Sequence, residues 1–239
     1  MTSVLIIGGG VIGLSIAREF HKKGITSLTI LDQGMIGKES SYAAAGMLAP
    51  QSEADQADDF FNICSESRDL YPKFSKELYT ETGIDIELDQ NGTLYLAFSE
   101  SDRKEIEKRY SWQQSAGLEV ERLTAGETHR LEPFISPDST GSLFFPNDWQ
   151  VENRKLLRAL IEYAEINRIG LIENTKVVKL VKKSEKIDLA LTEGGEEFAA
   201  DIVVLASGAW TSLIKIENRM VGIPGVSPIR GQMLSFHTA

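Results

Sequence analysis

The sequence has little of what cross-links or anchors a fold from outside. One of its 239 residues is cysteine, Cys64, which excludes an internal disulfide and suits a reducing compartment. Its three histidines, His21, His129 and His237, are scattered without metal-ligand spacing, so no metal site is expected. No apolar run approaches the roughly 20 residues of a membrane span. The N-terminal apolar stretch is broken by glycines and followed by a charged helix, which argues against a signal peptide. A cytoplasmic protein without membrane contact is expected. Positive charge is also short: 25 Lys and Arg face 35 Asp and Glu, and a net charge of −10 repels nucleic acid and anionic lipid. With 42% hydrophobic residues and no internal repeats, the chain suffices for one large globular domain or two smaller interleaved ones.

The stretch Val4 to Asp32 organises the rest. Val4-Leu5-Ile6-Ile7 is a continuous apolar run, as expected for a parallel strand covered on both faces. Gly8, Gly10 and Gly13 then form G-x-G-x-x-G: one glycine for the tight turn, one for backbone approach to a pyrophosphate, one for close helix-on-strand packing. A helix follows whose apolar stripe is expected to be Ile12, Ile16, Ala17 and Phe20, with Gly24 at its end. A second apolar strand, Leu28 to Leu31, delivers Asp32, 19 residues past the last glycine and placed to accept a ribose hydroxyl. A carboxylate there repels a 2′-phosphate, so the dinucleotide is FAD or NAD rather than NADP. The turn's N–H groups and the helix dipole face the phosphates, so no lysine is required.

Further along, Ser40-Ser41-Tyr42-Ala43-Ala44-Ala45-Gly46-Met47-Leu48 sets hydroxyls before tiny side chains. From pattern alone it is either a phosphate and isoalloxazine contact or a tightly packed helix, with Ser40 as a possible cap. A long helix is expected over 56–82, interrupted by Pro72, with Cys64 on its apolar stripe as a core thiol. The period then switches to 2: Ile84 to Leu88 and Thr93 to Phe98 read as a hairpin around Asn91-Gly92, opening a second, antiparallel domain. The helix over 101–116, with Arg103, Lys104, Lys108 and Arg109 among acids, reads as a solvated face. Thr124 and Glu127 have capping-box form before a short helix. From Asn153 a helix with Leu156, Leu157, Leu160, Ile161 and Ala164 faces a core and is expected to end at Gly170. A third parallel strand at Leu171-Ile172 and a three-stranded meander over 176–200 follow. The apolar strand 201–206 ends in Ser207-Gly208, where small residues let a cofactor lie against the backbone.

Taken together, IIGGGVIGLSIA, LTILDQG and SSYAAAGMLAP resemble the glycine/D-amino-acid oxidase family of flavoproteins, most of all the glycine oxidases of thiamine biosynthesis. The resemblance implies non-covalent FAD contacted by Val11 and Ile12 in the glycine turn, with Asp32 and Gln33 at the adenosine ribose. It sets Ser40 and Ser41 at the diphosphate, Ala45, Gly46 and Met47 along the flavin, and the backbone of Val177 at the adenine. Tyr42 stands where the family pattern has a third small polar residue. Val226-Ser-Pro-Ile-Arg-Gly-Gln232 and Met233 to Phe236 resemble the family's P-x-(R/K)-G-(Q/E) strand entering a substrate domain.

The implied architecture is α/β: a Rossmann-like parallel sheet with an antiparallel three-stranded meander, plus part of an α+β substrate domain. Residues 1–83 and 151–222 would form the FAD-binding domain, 84–150 the first part of the substrate domain, and 223–239 the start of its return. In this family the carboxylate-binding arginine and the tyrosine over the flavin lie beyond Ala239, so an N-terminal portion lacking its C-terminal elements is expected. Arg230 is the one candidate substitute, and its counterpart sits in a structural strand, so no catalytic residue is assigned. The implied reaction is oxidation of glycine or another small amino acid or amine by oxygen, with peroxide formed, in a homo-oligomeric enzyme of thiamine biosynthesis. The alternatives are a D-amino-acid or sarcosine oxidase or dehydrogenase, or a non-catalytic FAD-binding fragment.

Overall fold

The computed structural model describes residues 2–220, 225–227, 229 and 231. Arg230, Gln232 and the Met233–Phe236 segment lie outside the described residues. In chain order the elements are β1 (Ser3–Ile7), α1 (Val11–Lys22), β2 (Ser27–Leu31), α2 (Ser40–Ala43), β3 (Met47–Leu48), α3 (Pro50–Glu53) and α4 (Asp59–Thr82). They continue as β4 (Thr93–Ala97), α5 (Glu100–Ser115), β5 (Glu121–Thr124), α6 (Ala125–Leu131), β6 (Gly141–Phe145), β7 (Trp149–Gln150) and α7 (Asn153–Ile166). Next come β8 (Gly170–Ile172), β9 (Val177–Lys183), β10 (Lys186–Thr192), β11 (Glu197–Ala199) and β12 (Ile202–Leu205). A 3-10 helix, Gly208–Leu213, leads to β13 (Lys215–Ile216) and β14 (Arg219–Met220). No helix among the described residues is long and apolar enough to cross a membrane.

Two compact units divide the chain: residues 1–45, 78–86 and 153–239 form the first, and 46–77 with 87–152 the second. The first holds a parallel sheet in the order β12-β1-β2-β8. Ile6 of β1 pairs with Ile30 on one side and Val204 on the other. A second sheet, β11-β10-β9-β13-β14, contains the expected meander and extends it by β13, which runs parallel to β9. Leu5, Ile7 and Leu31 from the first sheet share a core with Val177, Leu180 and Ala190 from the second. The FAD-type parallel sheet and its meander are thus present as one packed body.

Helix α1 corrects the expected stripe. Its buried residues are Gly13, Leu14, Ala17 and Arg18, whereas Ile16 and Phe20 are half-buried and Ile12 is 63% exposed. The helix is rotated because its glycine face, not its isoleucine face, makes the close contact with the sheet. Gly24 ends it as expected: with φ +86° it donates to the carbonyl of His21 at 2.8 Å, while Ile25 N–H reaches Phe20 at 3.1 Å. This is a Schellman closure. Helix α7 stops the same way, but not at Gly170. Arg168 takes the left-handed conformation (φ +58°) and Ile169 N–H returns to the Ala164 carbonyl at 2.8 Å, leaving Gly170 to begin β8.

Helices α1 and α7 pack together, and Arg18 lies between them. Its guanidinium is 1% exposed and grips Glu81 through Nε at 2.8 Å and Nη2 at 2.9 Å, while Nη1 meets Glu19 at 2.9 Å. The ring of Tyr163 lies 5.5 Å away, and its hydroxyl bonds His21 Nδ1 at 2.8 Å. Two-pronged, charge-assisted contacts of this kind let a buried arginine keep its charge.

The second unit holds the antiparallel sheet β4-β6-β5 over a core of Ala97, Ile106, Val120, Leu143 and Phe145. The hairpin expected between 84–88 and 93–98 does not form. Glu87 adopts φ +53°, which breaks the extended run, and β4 pairs instead with β6, Tyr95 opposite Leu143. The expected capping box forms at Thr124 and Glu127 for α6, and a second one, not singled out in the sequence, forms at Ser99 and Asp102 for α5. Arg109 is not solvated as expected: 11% exposed, it donates to the carbonyls of Ser52 (2.8 Å) and Ala54 (2.9 Å) and stacks over Tyr95 at 4.9 Å.

Residues 46–77, expected with the cofactor domain, group with the second unit for a traceable reason. Met47 and Leu48 pair with Gln150 and Trp149, and the buried Asp148 carboxylate accepts from the N–H groups of Gln51 (3.0 Å) and Ser52 (2.7 Å). Gln51 and Gln113 exchange further bonds at 3.0 and 2.9 Å. Burial pushes the Asp148 carboxyl above its ordinary range, against the pull of those N–H donors.

Two outcomes follow from these contacts. Replacing Glu81 by alanine leaves the buried Arg18 guanidinium without its bidentate partner and is expected to cost about 3 kcal/mol in urea unfolding. Asp102 has its pKa lowered by the N–H of Phe98 and by Ser99, so its stabilising effect exists above the unfolded carboxylate pKa of about 4 and fades as pH falls through the lower folded value. Acid-unfolding curves of Asp102→Ala should therefore fall less steeply across that window than those of the parent.

Candidate functional site

The first unit carries a cavity at the carboxyl ends of β1 and β2, where ligands of open α/β sheets bind. Its floor is the turn from β1 into α1. Gly8 sits at φ +114°, and a Cβ there would stand 2.3 Å from the Ala206 carbonyl oxygen beyond the end of β12. A Cβ on Gly13 would stand 1.9 Å from the Gly8 oxygen. Only bare backbone therefore lets α1 start this close to the sheet. Gly10 is the N-cap and offers no side chain, so the positive end of α1 opens toward the cavity.

Asp32 locks the turn from the other side. Its Oδ2 accepts from Gly9 N–H at 2.7 Å and its Oδ1 from Gly34 N–H at 2.9 Å. A carboxylate offers about four acceptor positions, so Asp32 retains capacity for ribose hydroxyls while already organising the loop. Gly37 N–H closes the same loop on the Gly9 carbonyl at 2.9 Å. Ser41 Oγ accepts from Val11 N–H at 3.1 Å, which brings a hydroxyl to the first amide of α1. Ser40 is the first residue of α2 rather than its cap; Glu39 holds that position without a side-chain bond.

Gly8, Gly10, Val11, Ile12, Asp32, Gln33, Ser40, Ser41, Val177 and Gly208 all line this one cavity, although they come from five separate stretches of chain. Gly13 does not line it; its part is the close packing under the turn. Ala45, Gly46 and Met47 are also not in its wall. Ala45 is exposed, and Gly46 and Met47 belong to the second unit, where Gly46 accepts from Val151 N–H at 2.9 Å. The sequence did not single out Met35, Thr175, Trp210, Leu213 and Ile214, which also line the cavity and, apart from Thr175, make its wall apolar. Trp210 follows directly on the Ser207-Gly208 strand end already singled out, and that adjacency is the signal that could have found it.

The donor chemistry fits a dinucleotide: a helix end and hydroxyls for phosphate, a carboxylate for ribose, an apolar wall for a flat base. Residues 3–239 match the family described as FAD dependent oxidoreductase. The chain belongs to that family. Its cofactor is accordingly FAD. Glycine oxidase of Geobacillus kaustophilus (strain HTA426) is 35% identical over 231 residues, which is 96% of this chain and 60% of the relative. The crystal structure of glycine oxidase from Geobacillus kaustophilus superposes with a TM-score of 0.81 at 36% identity, covering 89% of this chain and 57% of that one. The Bifunctional protein ThiO/ThiG of Synechocystis sp. (strain ATCC 27184 / PCC 6803 / Kazusa) is 32% identical over 98% of this chain and 33% of its own length. The chain thus spans about three fifths of the length of the glycine oxidases it matches.

Replacing Asp32 by alanine removes the acceptor of two backbone amides and a carboxylate from the cavity wall. The protein without ligand is expected to lose about 1–3 kcal/mol of stability, and FAD should restore less of it than in the parent. Thermal melts with and without FAD measure both effects.

Proposed function

We propose that this chain forms the FAD-binding part of an amino acid oxidase acting on glycine or a similarly small amino acid or amine. One coincidence carries the reading: the open end of α1, the Ser40 and Ser41 hydroxyls and the Asp32 carboxylate face a single cavity in a chain of the FAD dependent oxidoreductase family. In this reading Gly8, Gly10, Val11 and Ile12 offer backbone to the diphosphate, and Ser40 and Ser41 add hydroxyls. Asp32 and Gln33 take the adenosine ribose, Val177 and Gly208 lie against the adenine half, and Gly13 keeps the turn close. Ala45, Gly46 and Met47 are assigned to the flavin on the resemblance alone. FAD is held non-covalently.

FAD, when bound, would supply the redox chemistry, by which two electrons and two protons leave the substrate's C–N unit and end in hydrogen peroxide. The residues of this chain bind and orient FAD, and none is given a part in bond breaking. With glycine, oxygen and water the products are glyoxylate, ammonia and hydrogen peroxide. The glycine oxidase and ThiO/ThiG relatives support this substrate and a place in thiamine biosynthesis. The enzyme is proposed to be cytoplasmic and homo-oligomeric.

The test is the purified full-length protein. A yellow flavin spectrum and peroxide release with glycine, exceeding that with D-alanine or sarcosine, are expected. Preference for sarcosine or a D-amino acid would move the assignment to a sister oxidase. Flavin binding without turnover of any of these would leave only a binding module, and absence of flavin would overturn the reading altogether.

A further inference from the structure

Helix α2 is a single turn, too short to hold its own place. It packs on α7, whose first residue reaches across: Asn153 Nδ2 donates to the carbonyls of Ser41 at 2.8 Å and Tyr42 at 3.1 Å. The side chain of Tyr42 is gripped as well. Lys38 Nζ stands 4.5 Å from its ring centroid, and the Arg154 guanidinium carbon stands 4.8 Å from the same centroid. One ring thus gathers two cations beside the segment that carries Ser40 and Ser41. Lys38 is an exposed side chain, which the ring restrains to fewer rotamers. The local need for positive charge is plain, because Asp32 and Glu39 both line the cavity and the lysine in its wall, Lys176, is bonded to Glu193 at 2.8 Å.

We propose that Lys38, Tyr42 and Arg154 form a clasp that positions Ser40 and Ser41 for the cofactor's diphosphate and contributes a salt-sensitive share of its affinity. This rests on the flavoprotein reading above and deepens it. Tyr42 then has a reason to stand where a small polar residue would offer Lys38 no ring to rest on. The clasp acts through α2, so all three are positioning residues.

The experiment is titration of the flavin-free full-length protein with FAD, read by flavin fluorescence at about 50 mM and about 300 mM salt. Tyr42→Leu is expected to weaken binding about three- to tenfold, and Tyr42→Phe, which keeps the ring, to bind like the parent. Lys38→Gln should weaken binding at low salt and approach the parent at high salt, with Lys38→Arg restoring it. Lys38 is exposed, so its replacement leaves folding intact, and melting of the flavin-free variants checks this. Parent-like affinity of both Tyr42→Leu and Lys38→Gln would overturn the inference while leaving the flavoprotein reading in place. A loss with Lys38→Gln that is equal at both salts would overturn the charge contribution. Failure of the parent itself to bind FAD would overturn both readings.

Discussion

The first unit depends on one close approach, that of Gly13 to the Gly8 carbonyl, where a single methyl group would stand 1.9 Å from the oxygen. The approach sets the height at which α1 starts above the sheet and so decides which way its amide groups point. It also dictates which side of α1 is buried. The glycine side goes down with Leu14, Ala17 and Arg18, and Ile12 is carried round to the cavity. Arg18 is then inside whatever its charge, and the bidentate grip of Glu81 with the ring of Tyr163 makes that burial tolerable.

A second layer of constraint comes from acceptors that serve backbone amides. Asp32 bonds Gly9 and Gly34 before any ligand is considered, so the residue that would meet the ribose also shapes the loop that would meet the phosphate. Asp148 does comparable work in the second unit, where it receives Gln51 and Ser52 and helps keep 46–77 with the antiparallel sheet. In both places one carboxylate accepts from two N–H groups, in loops at Asp32 and in the first turn of α3 at Asp148. Arg109 completes the arrangement around Ser52 and Ala54 from the donor side.

Much of the parallel sheet was legible in the chain itself. The apolar stretches Val4–Ile7, Leu28–Leu31 and 202–206 emerge as β1, β2 and β12, the first largely buried as a strand covered on both faces and the last only half-buried. The glycine spacing, the Thr124–Glu127 capping box and the hydroxyl pair were equally readable, since each acts through neighbours a few residues away. The hairpin at Asn91-Gly92 was misread for the opposite reason. Strand β4 finds its partner β6 about fifty residues on, and nothing local reports that choice. Arg109 was misread because periodicity cannot show that the end of α3, residues 52–54, lies against that helix.

By itself the sequence determined the local chemistry of this protein: strand, glycine turn, helix and acid in the order a dinucleotide requires, and a net negative charge of −10. Only the tertiary structure decided which separate stretches share one cavity, which face of α1 is buried, and where Tyr42 collects Lys38 and Arg154. The physical reason is one of range. Backbone conformation and hydrogen-bond caps are settled over a few residues, whereas burial and charge pairing are settled by whatever the fold brings alongside.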